Sequence, residues 1–158
     1  MSESDSRDRI EIDCDPARLD IDRIHGFLAQ SYWAQDIPRR IVERSIANSL
    51  NFGVYETGQQ IGYARVVSDF ATFAYLADVF VVEACRGRGL AGRLVRAVLA
   101  HPDLQDLRRW MLVTRDAHGL YTREGFNVVA APDRFMEKHA PGLYQRMRQR
   151  NLSPEDRG

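Results

Sequence analysis

The sequence predicts a mixed α/β domain: about seven strands in one mixed sheet, flanked by four helices. Three observations predict it. Ile10 and Ile12 alternate with Glu11 and Asp13, and apolar runs at Phe52–Glu56, Ile61–Val67 and Phe73–Val82 also read as strands. Leu90, Leu94, Val95, Val98 and Leu99 recur at the spacing of one helix face. The segments follow the order β-α-α-β-β-β-α-β-α-β-β. Hairpin-linked strands followed by a strand–helix–strand unit give a sheet of mixed direction with helices on both faces.

Residues 1–8 are polar and acidic and are expected to form a disordered leader. The first strand ends at Asp15-Pro16. Asp20 is placed to cap a first helix whose apolar stripe is Ile21, Ile24, Phe27 and Leu28. A break at Ser31–Ile37 carries Tyr32 and Trp33. Pro38 then suits the first position of a second helix marked by Ile41, Val42, Ile46 and Leu50. Thr57-Gly58-Gln59 joins the second and third strands as a hairpin, and Ser68–Thr72 turns into the fourth. The third helix runs from Gly89 and stops before His101-Pro102, because proline disfavours helix in the residue ahead of it. Arg109–Val113 is the expected fifth strand, with Trp110 and Leu112 on one face. Asp116–Glu124 is a short helix closed by Gly125. Phe126–Val129 and Arg134–His139 are the expected sixth and seventh strands. Residues 145–158 are polar, charged and expected to fray, which leaves 9–144 as one domain without repeat or linker.

Composition narrows the function. A chain of 158 residues can bury a core as one domain. Its 22 basic and 22 acidic side chains cancel, so no global field draws it to nucleic acid or to an acidic membrane. No apolar run approaches the roughly 20 residues that span a bilayer, and the N-terminus is unlike a signal peptide. Cys14 and Cys85 lack a framework pattern and suit a reducing cytoplasm, the expected location. His25, His101, His118 and His139 form no metal-spaced cluster with either cysteine, so no metal is expected. A G-x-S-x-G nucleophile elbow and a G-x-x-x-x-G-K-S/T phosphate loop are both absent.

The chemistry points to Val79–Leu99. An apolar strand enters Arg86-Gly87-Arg88-Gly89 and leaves as a helix. The first N–H groups of a helix have no internal partner and carry the positive end of its dipole, and glycines let a phosphate approach the main chain. Arg86, Arg88 and Arg93 add mobile positive charge. The stretch therefore reads as a diphosphate cradle, with three competing interpretations. Gly87, Gly89 and Gly92 match the G-x-G-x-x-G dinucleotide pattern. That pattern belongs on the first strand of a βαβ unit with an acid about twenty residues on; here it lies in mid-chain, Asp106 comes too early and Asp116 lies beyond the next strand. A second interpretation is a tight turn with surface arginines. In the third, Arg86-Gly-Arg-Gly89-Leu-Ala91 resembles the Arg/Gln-x-x-Gly-x-Gly/Ala pyrophosphate motif of the GCN5-related N-acetyltransferase (GNAT) superfamily. The order of elements is similar to that superfamily along nearly the whole chain.

The resemblance implies a GNAT-like acyl-CoA N-acyltransferase fold and a set of roles. Arg86, Gly87, Arg88, Gly89, Leu90, Ala91 and Gly92 would hold the diphosphate of acetyl-CoA. Main-chain groups of Val79, Phe80 and Val81 would hold the pantetheine arm. A splay between the fourth and fifth strands would free donors to polarise the thioester. Leu120-Tyr121-Thr-Arg-Glu-Gly125-Phe126, with Ala117 four residues before the tyrosine, resembles the second family motif, in which the tyrosine protonates the departing thiolate. A phenol with a pKa of about 10 is protonated at neutral pH and can do so. Thr114 stands where the family often has asparagine bonding the cofactor arm. Tyr75–Val81 is similar to the Leu-Glu-Asp-Phe-Phe-Val segment of polyamine acetyltransferases; this makes Asp78 the candidate base and a substrate contact, while Ala77 in place of glutamate argues against polyamines. A carboxylate inside an apolar strand needs a partner or a task; the alternative for Asp78 is a bond to main chain or to an arginine. Glu83, Asp116 and His118 are weaker base candidates. Tyr32 and Trp33 lie where the family walls the acceptor pocket, and suit an apolar, aromatic or cationic amine.

The function so implied is an N-acetyltransferase that moves an acetyl group from acetyl-CoA to a primary amine, preferably of a small molecule, by direct attack in a ternary complex. Alternatives are an acyl-CoA sensor without turnover, a transferase acting on a protein N-terminus or lysine, and a nicotinamide-dinucleotide enzyme. Dimers are common among relatives, so a homodimer is among the implied partners.

Overall fold

Strands β1 (Ile10–Asp13), β2 (Leu50–Glu56), β3 (Gln59–Ser68), β4 (Phe73–Val81) and β5 (Arg109–Met111) form one sheet in the order β1-β2-β3-β4-β5. They are drawn from a computed structural model that describes residues 9–152. The expected leader, 1–8, and residues 153–158 of the polar tail lie outside the described residues. The first four strands make an antiparallel meander, and β5 runs parallel to β4. A parallel neighbour needs a crossover, which α3 (Leu90–Leu99) supplies.

Each sheet face carries its own core. On one face, Leu94, Val95 and Val98 of α3 are fully buried against Phe52, Val54, Ala64, Val66 and Leu76, and Tyr121 of α4 (His118–Thr122) joins them. On the other, α1 (Ile21–Leu28) and α2 (Arg39–Ala47) place Ile24, Leu28, Val42 and Ile46 over Tyr63 and Phe80. Burying each such aliphatic side chain contributes about 1.5–3 kcal/mol. Asp20 caps α1 by accepting the Arg23 N–H at 3.0 Å, and its own N–H is bonded by Gln60 of β3 at 2.7 Å, which pins the helix to the sheet. No described helix is long and apolar enough to cross a membrane.

Several expected elements are corrected. There are five strands among the described residues, not seven, and five α-helices, not four. Phe126–Val129 and Arg134–His139 join no ladder. With β5 only three residues long, little edge is offered to a further strand. Pro132 lacks a donor and opens a 3₁₀ turn, and Val128 and Met136 are 79% and 97% exposed. Leu112 and Val113 lie beyond β5. Leu50 starts β2 rather than ending α2, because Asn51 turns the chain by donating to the carbonyls of Ile46 and Ser49. Pro38 is the residue before α2, not its first. The polar tail, expected to fray, is helical as α5 (Leu143–Leu152); Arg148 pairs with Asp36 and Gln145 bonds the Gln35 carbonyl.

One irregularity of β4 is not legible in the sequence. Tyr63 faces Phe80 but Arg65 faces Ala77, so β4 holds one residue more than β3. The extra residue is a β-bulge at Asp78, whose φ of +55° puts a non-glycine residue in the left-handed region. The phase of the strand slips there. Leu76, Val79 and Val81 all meet the α3 core while Phe80 meets the α1/α2 core, a pattern strict alternation forbids.

Candidate active site

Beyond the bulge, β4 has one free edge. β5 pairs only with Phe73, Ala74 and Tyr75, and no described strand lies beside Leu76–Val81 on that side. The ladder between β4 and β5 ends at Tyr75 and Met111. The side chains of Phe80 and Val81 belong to the two cores, Phe80 stacking on Phe27 with centroids 3.9 Å apart, so what this edge offers a ligand is main-chain polarity.

The same strand ends at the glycine loop. A 3₁₀ turn at Glu83–Cys85 leads to Arg86, then to Gly87 at φ +79° and Gly89 at φ +73°. A Cβ at either glycine would meet nothing within 4 Å, so conformation rather than crowding demands glycine, and the loop surface stays open. The first intrahelical bond of α3 is Arg93 N–H to Gly89 O at 3.1 Å, and no side chain caps the helix. The N–H groups of Leu90, Ala91 and Gly92 thus point out of the helix without an intrahelical partner. The nearby arginines are less mobile than the sequence suggests. Arg88 pairs with Glu56 of β2 at 2.6 Å, Arg86 donates Nε to Val81 O at 3.1 Å, and Arg93 donates to Ile10 O at 3.4 Å.

Tyr121 stands on α4, 9% exposed, with its ring edge-on to Phe126 at 5.9 Å. Its hydroxyl makes no hydrogen bond with a described residue. Burial, with a smaller contribution from neighbouring Tyr32, pushes its pKa up to about 12. Thr114 accepts the Ala117 N–H at 3.0 Å, closing the turn into α4, and keeps its own hydroxyl proton to donate.

The break between α1 and α2 comes back to the bulge. Ser31 is buried and holds the loop by donating to Leu28 O and accepting from Ala34 N–H. Trp33 then donates its indole N–H to Asp78 Oδ1 at 3.0 Å, while Arg65 Nε bonds Asp78 Oδ2 at 2.8 Å and Arg65 Nη1 reaches Ser49 at 3.2 Å. Asp78 therefore takes the paired arrangement, with an arginine on one oxygen and an indole on the other. Tyr32 packs edge-on to Trp33, carries the Arg115 guanidinium over its ring at 3.9 Å, and accepts the Arg115 N–H at 3.2 Å. Ser31, Tyr32, Trp33 and Arg115, with Phe27, Gln30 and Arg86, line a cleft of about 410 Å³. Glu83, Asp116 and His118 are exposed outside it. A larger hollow, about 680 Å³, lies between β5 and residues 124–135 and contains none of the expected site residues. Two residues, one paired with Asp78 and one lining the cleft, are not legible in the sequence. Arg65 reads as one more charge in a strand, and its partner is evident only once the bulge sets the register. Arg115 reads as a surface charge beside Asp116.

Comparison with known proteins gives a consistent picture. Residues 18–126 match the model of the acetyltransferase (GNAT) family. A candidate acetyltransferase of Gibberella zeae is 30% identical over 132 residues, 70% of this chain and 74% of that protein. The crystal structure of a candidate GNAT-family acetyltransferase from Xanthomonas campestris pv. campestris is 52% identical, with a TM-score of 0.83 over 85% of this chain and 96% of that one. A GNAT family acetyltransferase from Elizabethkingia anophelis, solved with acetyl-CoA bound, shares the fold at 15% identity, with a TM-score of 0.61 over 86% of this chain and 92% of that one.

Proposed function

The chain belongs to the GNAT acetyltransferase family, and on that premise we propose that it moves an acetyl group from acetyl-CoA to the primary amine of a small molecule by direct attack. The observation that carries this reading is the continuity of β4. Its free edge at 76–81 leads through the 3₁₀ turn and the glycine loop to the unpartnered amides of Leu90–Gly92, with Tyr121 buried in the same core. A linear molecule with an anionic end and a thioester end fits that sequence of groups, and the related enzyme from Elizabethkingia anophelis is known with acetyl-CoA in place.

Acetyl-CoA supplies the acetyl group as a thioester. The loop Arg86–Gly92 binds the diphosphate through main-chain N–H groups at the positive end of α3. The main chain of Val79–Val81 continues the sheet onto the pantetheine arm and stabilises negative charge on the carbonyl oxygen. Thr114 donates its hydroxyl proton to the same arm. A water takes the amine proton, because both oxygens of Asp78 are already engaged by Arg65 and Trp33. As the amine nitrogen bonds to the carbonyl carbon and the carbon–sulfur bond breaks, Tyr121 gives its proton to sulfur. Tyr32 and Trp33 wall the acceptor.

The test is an assay of free thiol release with purified protein, acetyl-CoA and a panel of small amines, alongside calorimetry with CoA. Thiol release that depends on an added amine is the expected result. Heat of CoA binding without amine-dependent release would refute transfer to a small amine.

A further inference from the structure

Resting on the acetyl-transfer reading above, we propose that the acceptor is a primary amine that also carries a carboxylate, and that Arg115 binds that carboxylate. The Arg115 guanidinium lies over the face of Tyr32, a contact that consumes none of its five N–H donors. No described residue accepts a hydrogen bond from it. Its nearest carboxylate is Asp116, at 3.7 Å from Nη2, beyond hydrogen-bond reach and on the same exposed turn. An arginine positioned by stacking, with its fork of donors turned to solvent and its side chain 65% exposed, matches the planar geometry of a carboxylate.

The rest of the cleft agrees. Apart from Arg86, which belongs to the diphosphate loop, the only charged residue of its lining is Arg115, and none is acidic. Asp78 reaches the lining through Trp33, but Arg65 already compensates its charge. A cationic acceptor such as a polyamine would therefore meet the Arg115 guanidinium and no free anion. This narrows the sequence expectation, which left cationic amines open on the strength of the aromatic residues alone. Phe27, Tyr32 and Trp33 give the body of the molecule apolar faces to lie on. The main-chain bond from Arg115 N–H to the Tyr32 hydroxyl keeps the guanidinium and the aromatic wall in one arrangement, so the site is formed before the acceptor arrives.

The experiment compares matched acceptors in the thiol-release assay: the twenty amino acids and short ω-amino acids, their amides, the corresponding decarboxylated amines, and spermidine. The expected result is a kcat/KM for the best acids about ten- to a hundredfold above their amides and amines, the range of a charged hydrogen bond. In Arg115→Gln the acid-to-amide ratio falls to about one through KM, and Arg115→Lys restores part of it, while calorimetry with CoA reports whether each variant is folded. Amides, simple amines or spermidine used as well as the acids, or a ratio unchanged in Arg115→Gln, would overturn the inference and leave acetyl transfer standing. CoA binding with no member of the panel acetylated would overturn both, and absence of CoA binding would remove the acetyl-transfer reading itself.

Discussion

Trp33 and Asp78, 45 residues apart in sequence, meet through a 3.0 Å hydrogen bond from the indole N–H to Oδ1. That bond joins the loop after α1 to the bulge of β4, and Arg65 completes it from β3 at 2.8 Å. The ion pair is largely shielded, its side chains 19% and 10% exposed, so its loss carries a desolvation cost that surface pairs lack.

Asp78→Asn keeps an acceptor for the indole but leaves Arg65 facing a neutral amide. It is expected to lower unfolding free energy by about 2–3 kcal/mol, against about 1 kcal/mol for Trp33→Phe, measured by urea titration. In the double variant Arg65→Gln/Asp78→Asn the losses of the Arg65→Gln and Asp78→Asn single variants should not add. Equal, additive losses would mean the pair is not coupled.

Much of this arrangement could be read from the sequence, because it rests on local rules. The β2–β3 hairpin follows from its turn, α1 from Asp20 and its stripe, and the open amides of α3 from Gly87 and Gly89. The bulge could not be read. Tyr75–Val81 looks like an unbroken strand, and only the pairing of Tyr63 with Phe80 and Arg65 with Ala77 reveals the extra residue. Once that slip is missed, the partner of Asp78 is missed with it. The expected sixth and seventh strands fail to form for a related reason. Phe126–Val129 and Arg134–His139 have strand-like composition, but strand formation needs a neighbouring edge, and three residues of β5 supply little of one.

Tyr121→Phe keeps the ring against Phe126 and removes only the proton donor. Turnover should fall about a hundredfold or more with CoA affinity unchanged, as read by thiol release and calorimetry. Unchanged turnover would exclude the acid role.

The raised pKa of the same residue has a consequence for stability. Its folded value, about 12, exceeds the ordinary value of 10.0, so folding favours the protonated phenol. The stabilisation is complete below pH 10 and is lost as pH rises from there through 12. Burial raises Tyr63 in the same direction. Thermal unfolding should therefore move to lower temperature above pH 10, and less steeply in Tyr121→Phe than in the parent. An identical alkaline slope in both would contradict the assignment.

Gly89→Ala tests the loop. The space for a methyl is open, but φ of +73° disfavours any L-residue with a Cβ. A loss of about 1 kcal/mol in stability is expected, with weaker CoA binding as the start of α3 shifts. A fully stable variant would show that the left-handed cap is not required.

Glu56→Gln releases Arg88 from its 2.6 Å partner at the rim of the same loop. CoA affinity should rise a few-fold at low ionic strength, with the gain shrinking in high salt. No change at either ionic strength would place Arg88 outside the reach of the diphosphate.

A crystal structure with CoA bound should show the diphosphate on the amides of Gly87–Gly92, the pantetheine arm along Val79–Val81, and the sulfur within about 3.5 Å of the Tyr121 hydroxyl. A diphosphate bound elsewhere, or a sulfur out of reach of that hydroxyl, would contradict the acetyl-transfer mechanism.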